Sequence, residues 1–230
     1  MIEFFFDCSS PWTWLGFESI QPLGADLGVG ITWRPILVGG VFNTVNRSVY
    51  AQRADPEPAK ARYMAKDLRD WARLQGLEIR FPPSVFPVNS VKAMRACCWL
   101  GQDCVPFARA AFRAYWTDDR DLSDDAVLRG VAAEVGVDGD AMVAAIGDEA
   151  VKAQLRANTD ELIARGGFGS PTIFVGGDDM YFGNDRMPLV RAAVERANAA
   201  EVDKVYATSG SEVLPRGGGE ACRGIDVERR

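Results

Sequence analysis

The stretch that decides the fold is Ile2-Glu3-Phe4-Phe5-Phe6-Asp7-Cys8-Ser9-Ser10-Pro11-Trp12-Thr13-Trp14-Leu15. Residues 2–7 form a short apolar, aromatic run that reads as a buried strand. Ser10 before Pro11 is a helix-start signal. The serine hydroxyl can accept an orphan backbone N–H, and proline suits the first helical position, where its missing N–H costs nothing. Leu15, Phe17 and Ile20 follow, and Gly28 and Gly30 close the unit. Residues 31–38 read as a second buried strand bounded by Gly39 and Gly40. The chain thus opens strand–helix–strand.

Beyond that opening the pattern changes. Residues 59–75 carry Tyr63, Met64, Leu68, Trp71 and Leu74 at helical spacing. Residues 81–87 hold Pro82, Pro83 and Pro87 and are expected to be an irregular loop. From 90 to 165 the pattern stays helical, with breaks near Gly101, at 118–121 and at 135–140, so roughly five or six helices are expected between 59 and 165. Strand signals return at 172–175. A turn at Gly176-Gly177-Asp178-Asp179 and a short apolar run at 180–182 complete a hairpin. Residues 185–199 read as a last amphipathic helix.

This order predicts an α/β protein with a thioredoxin-like four-stranded sheet and a large all-helical insertion. Residues 1–56 and 168–200 would form the thioredoxin-like domain, and 57–167 the helical insertion. Residues 201–230, polar and holding Gly217-Gly218-Gly219, would be a mobile tail. The competing reading is a mostly helical protein without that sheet.

Composition narrows the chemistry. The 230 residues include no histidine. No Ser-His-Asp or Cys-His pair and no imidazole base is therefore available. Lys plus Arg number 26 against 32 Asp plus Glu, a formal net charge of −6, which gives no help in neutralising nucleic-acid phosphates. The longest uncharged stretches, 35–46 and 166–177, fall short of the ~20 residues of a bilayer span. The first residues lack the basic start of a secretion signal. Five cysteines, Cys8, Cys97, Cys98, Cys104 and Cys222, show no Cys-x-x-Cys spacing. Without histidine no metal site is expected, and reduced thiols in the cytoplasm are the simplest reading.

Three places carry candidate chemistry. Ser10-Pro11-Trp12-Thr13 lies between the first strand and first helix, where thioredoxin-like redox proteins hold Cys-x-x-Cys. Ser10 and Thr13 stand at the two cysteine positions, so dithiol exchange there is excluded. What remains is a hydroxyl at a helix N-terminus, which suits an anion such as a thiolate; the plain alternative is that Ser10 only caps the helix. Gly169-Ser170-Pro171-Thr172 leads into a strand. A proline there, cis or not, leaves the preceding residue's backbone free to pair with an extended ligand, and the alternative is an ordinary strand-entry loop. Phe182-Gly183-Asn184-Asp185-Arg186-Met187 opens the last helix, where Asp185 could hold a ligand ammonium or simply cap. Cys8 has no evident activating base and is discounted as a nucleophile. Trp12 and Trp14 could line an aromatic pocket or the core.

Taken together, residues 7–18 resemble the N-terminal signature of the kappa-class glutathione transferases and of their relatives, the 2-hydroxychromene-2-carboxylate isomerases. The likeness continues through residues 33–40 and 58–63, then through Phe168-Gly169-Ser170-Pro171-Thr172 and Phe182-Gly183-Asn184-Asp185-Arg186-Met187, over about residues 1–198. It implies glutathione as cofactor and a homodimer. It implies that Ser10 is catalytic and faces the glutathione sulfur, and that Asn46 and Lys60 contact glutathione. Ser170, before Pro171, would pair with the cysteinyl part through its backbone, and Asn184 and Asp185 would hold the γ-glutamyl end. Ser170 departs from the apolar residue the family often has there. Trp12 and Phe42 would line the substrate pocket.

Gly39-Gly40-Val41-Phe42-Asn43, Phe81-Pro82-Pro83, Pro87-Val88-Asn89-Ser90 and residues 107–116 are similar to the isomerases. Trp14-Leu15-Gly16-Phe17-Glu18 looks more like the kappa transferases. The balance implies a cytoplasmic glutathione-dependent isomerase acting on a small aromatic substrate, without nucleic-acid or membrane partners. A kappa-like transferase or peroxidase is the alternative within the family. A non-catalytic module binding peptides or thiols is the alternative of another class.

Overall fold

The computed structural model describes residues 1–209, with side chains through residue 200. The tail expected at 201–230 therefore lies outside the described residues from 210 onward. The four-stranded sheet has the order β2-β1-β3-β4. Strand β1 (Ile2–Phe6) pairs in parallel with β2 (Ile31–Pro35) and antiparallel with β3 (Thr172–Val175). Strand β4 (Asp179–Phe182) closes the edge antiparallel to β3. Phe4 stands opposite Trp33 on one side and Ile173 on the other.

The aromatic run of β1 has its reason in this central place. Ile2, Phe4 and Phe6 face the larger core with Phe17, Trp33 and Ile173, while Phe5 turns to a second core with Ile36, Leu162 and Phe174. A strand covered on both faces needs apolar residues at consecutive positions.

Helix α1 (Pro11–Leu27) starts and stops as its sequence predicts. The Ser10 hydroxyl accepts the Thr13 N–H, and Gly28 ends the helix in the left-handed region at φ 64°. The second strand is shorter than expected. It ends at Pro35, and Val38, Gly39 and Gly40 form the first turn of helix α2 (Val38–Val45). The cause is tertiary. The Asp7 carboxylate accepts the Val38 N–H at 2.9 Å and the Thr159 hydroxyl accepts the Leu37 N–H at 3.1 Å, so remote side chains cap a glycine-rich turn. Helix α3 (Ser48–Ala54) went unpredicted because it buries no residue and so has no apolar stripe.

Helices α4 (Pro58–Gln75), α5 (Val91–Leu100), α6 (Val105–Trp116), α7 (Asp125–Glu134), α8 (Gly139–Ala145) and α9 (Glu149–Ala164) follow, with a 3-10 turn at Gly101–Cys104. Breaks fall near Gly101, at 118–121 and at 135–140 as the sequence places them, and a further one between α8 and α9 was not expected. Helix α6 is the spine of the block, with Phe107, Phe112, Tyr115 and Trp116 buried. Phe112 stacks on Trp14 with centroids 6.1 Å apart and meets Phe17 at 5.3 Å. The block and the sheet thus share one core, within a compact unit over Met1–Ala197. Helix α10 (Met187–Ser209) begins two residues later than expected and runs past 199. No helix among the described residues is long and apolar enough to cross a membrane.

Candidate active site

The site is built at the end of β1, where the chain turns into α1. Ser10 is half-buried. Its hydroxyl accepts the Thr13 N–H at 3.2 Å, and among the described residues its own proton has only the Ser170 carbonyl within reach, at a long 3.5 Å. One lone pair is committed to the cap, and the donor is weakly held. That leaves an O–H and the positive end of α1 facing the same place.

Thr13, at the second cysteine position, turns the other way. It is fully buried, and its hydroxyl lies 2.7 Å from that of Ser170. The Ser170 hydroxyl also accepts the Asp7 N–H at 3.2 Å. This explains why a serine is tolerated before the proline: buried hydroxyls pair with each other and with the backbone. The Ser170–Pro171 bond is cis. Among the described residues the Ser170 N–H makes no hydrogen bond, and its C=O meets only Ser10. An unpaired backbone edge on a buried residue is the feature expected of a ligand-pairing site. Pro171 C=O accepts the Gly183 N–H at 3.1 Å, which brings the loop before α10 against the proline.

Gly16 permits the closeness of helix and proline. A Cβ there would lie 2.9 Å from Pro171 Cγ. Below the site sits Asp7, 1% exposed, whose carboxylate accepts the N–H groups of Ser9 and Val38, each at 2.9 Å. Burial pushes its carboxyl up, and the backbone donors with the Ser90 and Ser9 hydroxyls oppose this. The sequence reading missed Asp7 as a support of the site. Its signal was an acid ending an otherwise apolar strand.

The remaining expected residues divide. Phe42 is beside the proline loop: a Cβ on Gly169 would lie 3.8 Å from its ring and 2.8 Å from that of Phe182. Asn46 ends α2 and donates its side-chain N–H to Phe168 C=O at 3.1 Å, tying α2 to the same loop. Trp12 is half-buried in the first turn of α1. Asn184 is buried, with its amide nitrogen lacking a hydrogen-bond partner, whereas Asp185 is at the surface in an ion pair with Arg186. Lys60 stands exposed at the start of α4 with no hydrogen bond or ion pair among the described residues, so nothing in the structure ties it to Ser10.

The loop at 81–87 lies against the other side of the site. Phe81 stacks over Trp116 at 6.2 Å, and Phe86 meets it at 6.5 Å. The Trp116 indole N–H donates to Cys8 C=O at 2.9 Å, two residues before Ser10. Tyr115 donates to Val85 C=O at 2.8 Å and accepts the Val88 N–H; burial pushes its hydroxyl up to about 12.

No thiol of the described chain is poised for attack. Cys8, Cys97 and Cys104 are buried, and burial raises Cys8 and Cys97 and pushes half-buried Cys98 up to about 12. Cys104 is raised too, by its neighbour Cys97 and by burial. Among the described residues no group of Cys, Asp and Glu stands where it could hold a metal ion. Glu18, in the stretch that resembles the kappa transferases, accepts from Arg109 at 2.9 Å and from the Trp14 indole at 3.3 Å. There it ties α1 to α6.

Residues 1–195 match the family described as DSBA-like thioredoxin domain. The chain belongs to that family, in the group that holds the 2-hydroxychromene-2-carboxylate isomerases and the kappa-class glutathione transferases. It is 30% identical over 198 residues to a 2-hydroxychromene-2-carboxylate isomerase of Sphingobium xenophagum, covering 83% of this chain and 96% of that one. It is 26% identical over 203 residues to glutathione S-transferase kappa 1 of Homo sapiens, covering 82% and 88%. A solved structure of 2-hydroxychromene-2-carboxylate isomerase superposes with a TM-score of 0.73 at 25% identity, over 88% of this chain and 98% of that one.

Proposed function

We propose that the chain is a cytoplasmic glutathione-dependent isomerase. It would convert 2-hydroxychromene-2-carboxylate to trans-o-hydroxybenzylidenepyruvate in the breakdown of polycyclic aromatics, working as a homodimer. The observation that carries this reading is the Ser10 hydroxyl, weakly held at a helix N-terminus and facing the cis-proline loop. The unpaired Ser170 backbone fits a peptide-like thiol, because an extended cysteinyl residue brings one N–H and one C=O to meet it.

Bound as its thiolate, glutathione would supply a reversible nucleophile for the conjugated carbon of the substrate, leaving the former double bond free to rotate. The chain's own residues do the placing. Ser10 would redirect its proton from the distant Ser170 carbonyl to the sulfur, and the α1 N-terminus adds its partial positive charge. Each pKa unit by which the thiol falls represents ~1.4 kcal/mol of preference for the thiolate. Ser170 pairs through its backbone, and Pro171, lacking an N–H, holds the turn open. Asn46, Lys60, Asn184 and Asp185 are the further glutathione contacts in this reading, and Trp12 and Phe42 flank the aromatic ring. No side chain has to remove a proton from carbon, which suits a chain without histidine.

An absorbance assay of chromene isomerisation with and without glutathione tests the proposal. Turnover that depends on added glutathione is expected. Equal rates without it, or conjugation of a chlorinated nitrobenzene with no isomerisation, would overturn it in favour of another activity. Failure to bind glutathione at millimolar concentration would point to a non-catalytic module.

A further inference from the structure

Arg53 occupies an unusual place. It lies on α3, a short helix that buries none of its residues. Its guanidinium carbon sits 5.4 Å from the Phe42 ring centroid and 5.9 Å from that of Phe86. Those two rings come from different segments of the chain. Phe42 neighbours Gly169 on the proline loop, and Phe86 packs on Trp116, whose indole is bonded to Cys8 C=O. The cation therefore links helix α2 to the loop at 81–87, two segments that each pack against a neighbour of the Ser10 turn. Among the described residues it forms no ion pair, whereas nearby Arg80 is held by Asp119.

We infer that Arg53 is the carboxylate-recognising residue of the aromatic subsite, so that the site selects a flat aromatic ligand bearing an acid group. This rests on the proposed function and names what that site reads. A guanidinium over aromatic faces is partly desolvated and still keeps its N–H edge free. That edge is a planar fork matching the two oxygens of a carboxylate. The rings that hold the fork in place, Phe42, Phe86 and Phe81 beside it, are the surfaces against which an aromatic ring packs. No acid competes for Arg53 within ion-pair distance among the described residues, so an incoming carboxylate displaces only water. The same arrangement gives an uncharged electrophile no comparable partner.

The experiment compares trans-2-hydroxycinnamate with its methyl ester by titration calorimetry, with glutathione present, in the wild-type protein and in Arg53→Met and Arg53→Lys. The wild type is expected to bind the acid about tenfold tighter than the ester, as a charge-assisted contact at an exposed site allows. Arg53→Met should bind both alike, and Arg53→Lys should fall between, because a point charge lacks the fork. Glutathione affinity should be unchanged in both variants. An acid preference that survives in Arg53→Met, or is absent in the wild type, overturns the inference. Isomerisation measured on the same proteins separates the two ideas. If turnover occurs and KM is unmoved in Arg53→Met, the carboxylate role falls and the reaction stands. If the acid preference is lost in Arg53→Met but the wild type never isomerises the chromene, the carboxylate role stands and the reaction falls.

Discussion

The floor of the candidate site and its rim are built on opposite principles. On the floor, Asp7, Thr13 and Ser170 are 1%, 0% and 7% exposed, and their side-chain oxygens are all engaged. At the rim, Phe81 and Phe86 are 48% and 39% exposed, and Arg53 lies over ring faces and forms no ion pair among the described residues. A buried polar network that loses one partner leaves the other unsatisfied, so the floor has a single low-energy geometry. Exposed rings in van der Waals contact shift at little cost. Under the proposed function the floor would therefore set where a sulfur sits, and the rim what meets it. Changes on the floor should alter chemistry, stability or pH response, and changes at the rim should alter affinity alone.

Ser10 stands at the boundary, so its substitution has the largest expected effect. Ser10→Ala should lower turnover about a hundredfold, on the scale seen when one donor to a developing anion is removed. It should also raise the pKa of bound glutathione, read from thiolate absorbance. Ala also removes the helix cap, worth ~1 kcal/mol, so stability falls as well. Ser10→Asp separates the two roles. An aspartate caps α1 and suits its dipole, so stability should hold, while its charge opposes a neighbouring thiolate and turnover should still collapse. Activity retained in Ser10→Asp would break the claim that this position reads an anion.

Deeper on the floor, Asp7 gives a pH signature. Its folded pKa is raised above the ordinary 3.8 by burial. The fold thus favours the neutral acid. Stability from this group is complete below the unfolded value and is lost as pH rises through the folded one, by up to ~1.4 kcal/mol for each pH unit separating the two values. Urea unfolding of wild type and Asp7→Asn from pH 4 to 8 should show the wild type losing ground to the variant as pH rises. Parallel curves would mean that Asp7 ionises in the fold as freely as in the unfolded chain.

Gly16 tests how tightly helix and proline are locked. Gly16→Ala puts a Cβ 2.9 Å from Pro171 Cγ and 3.5 Å from Phe4 Cζ. Neither the proline ring nor a fully buried phenylalanine can move aside easily. Overpacking of ~1–3 kcal/mol should offset or outweigh the ~1 kcal/mol gained in helix propensity, giving a net loss of up to about 2 kcal/mol in urea unfolding. A stabilised variant would show the floor to be looser than its packing implies.

The same contrast explains what the sequence disclosed. Local rules determine α1: Ser10, Pro11 and Gly28 act on their own neighbours, and the helix lies where they put it. The hairpin, and a proline loop leading into it, were legible for the same reason, although the isomer of the Ser170–Pro171 bond was left open. The start of α2 was not, because its capping groups, Asp7 and Thr159, are far away in the chain, and Gly39-Gly40 alone reads as a turn. Thr13 was read as a vacant cysteine position. Its inward hydroxyl follows from Ser170, 157 residues away. Arg53 carried no signal at all, since nothing marks an arginine on a short exposed helix until two rings from other segments close on it. Pairings across the fold, not element types, were what the sequence withheld.

The smallest effect is expected at the rim, and it bears most directly on the comparison. Phe86 is 39% exposed, packs edge-on to Phe81 at 5.3 Å and carries half of the Arg53 contact. Phe86→Leu keeps apolar bulk and removes the π face. The lost ring contacts with Arg53 and with an aromatic ligand are each worth about 0.5–1 kcal/mol, so KM for the aromatic acid should rise a few-fold. Turnover at saturation should hold, because Ser10 and the cis-proline loop are untouched. The unfolding midpoint should move little, because a half-exposed ring at a loop tip contributes little to the core. Steady-state kinetics with the acid substrate, beside a urea curve, reads all three. A fall in kcat with KM unmoved would mean that the loop at 81–87 helps place the sulfur, and the division between a floor that positions and a rim that selects would then fail at its far wall.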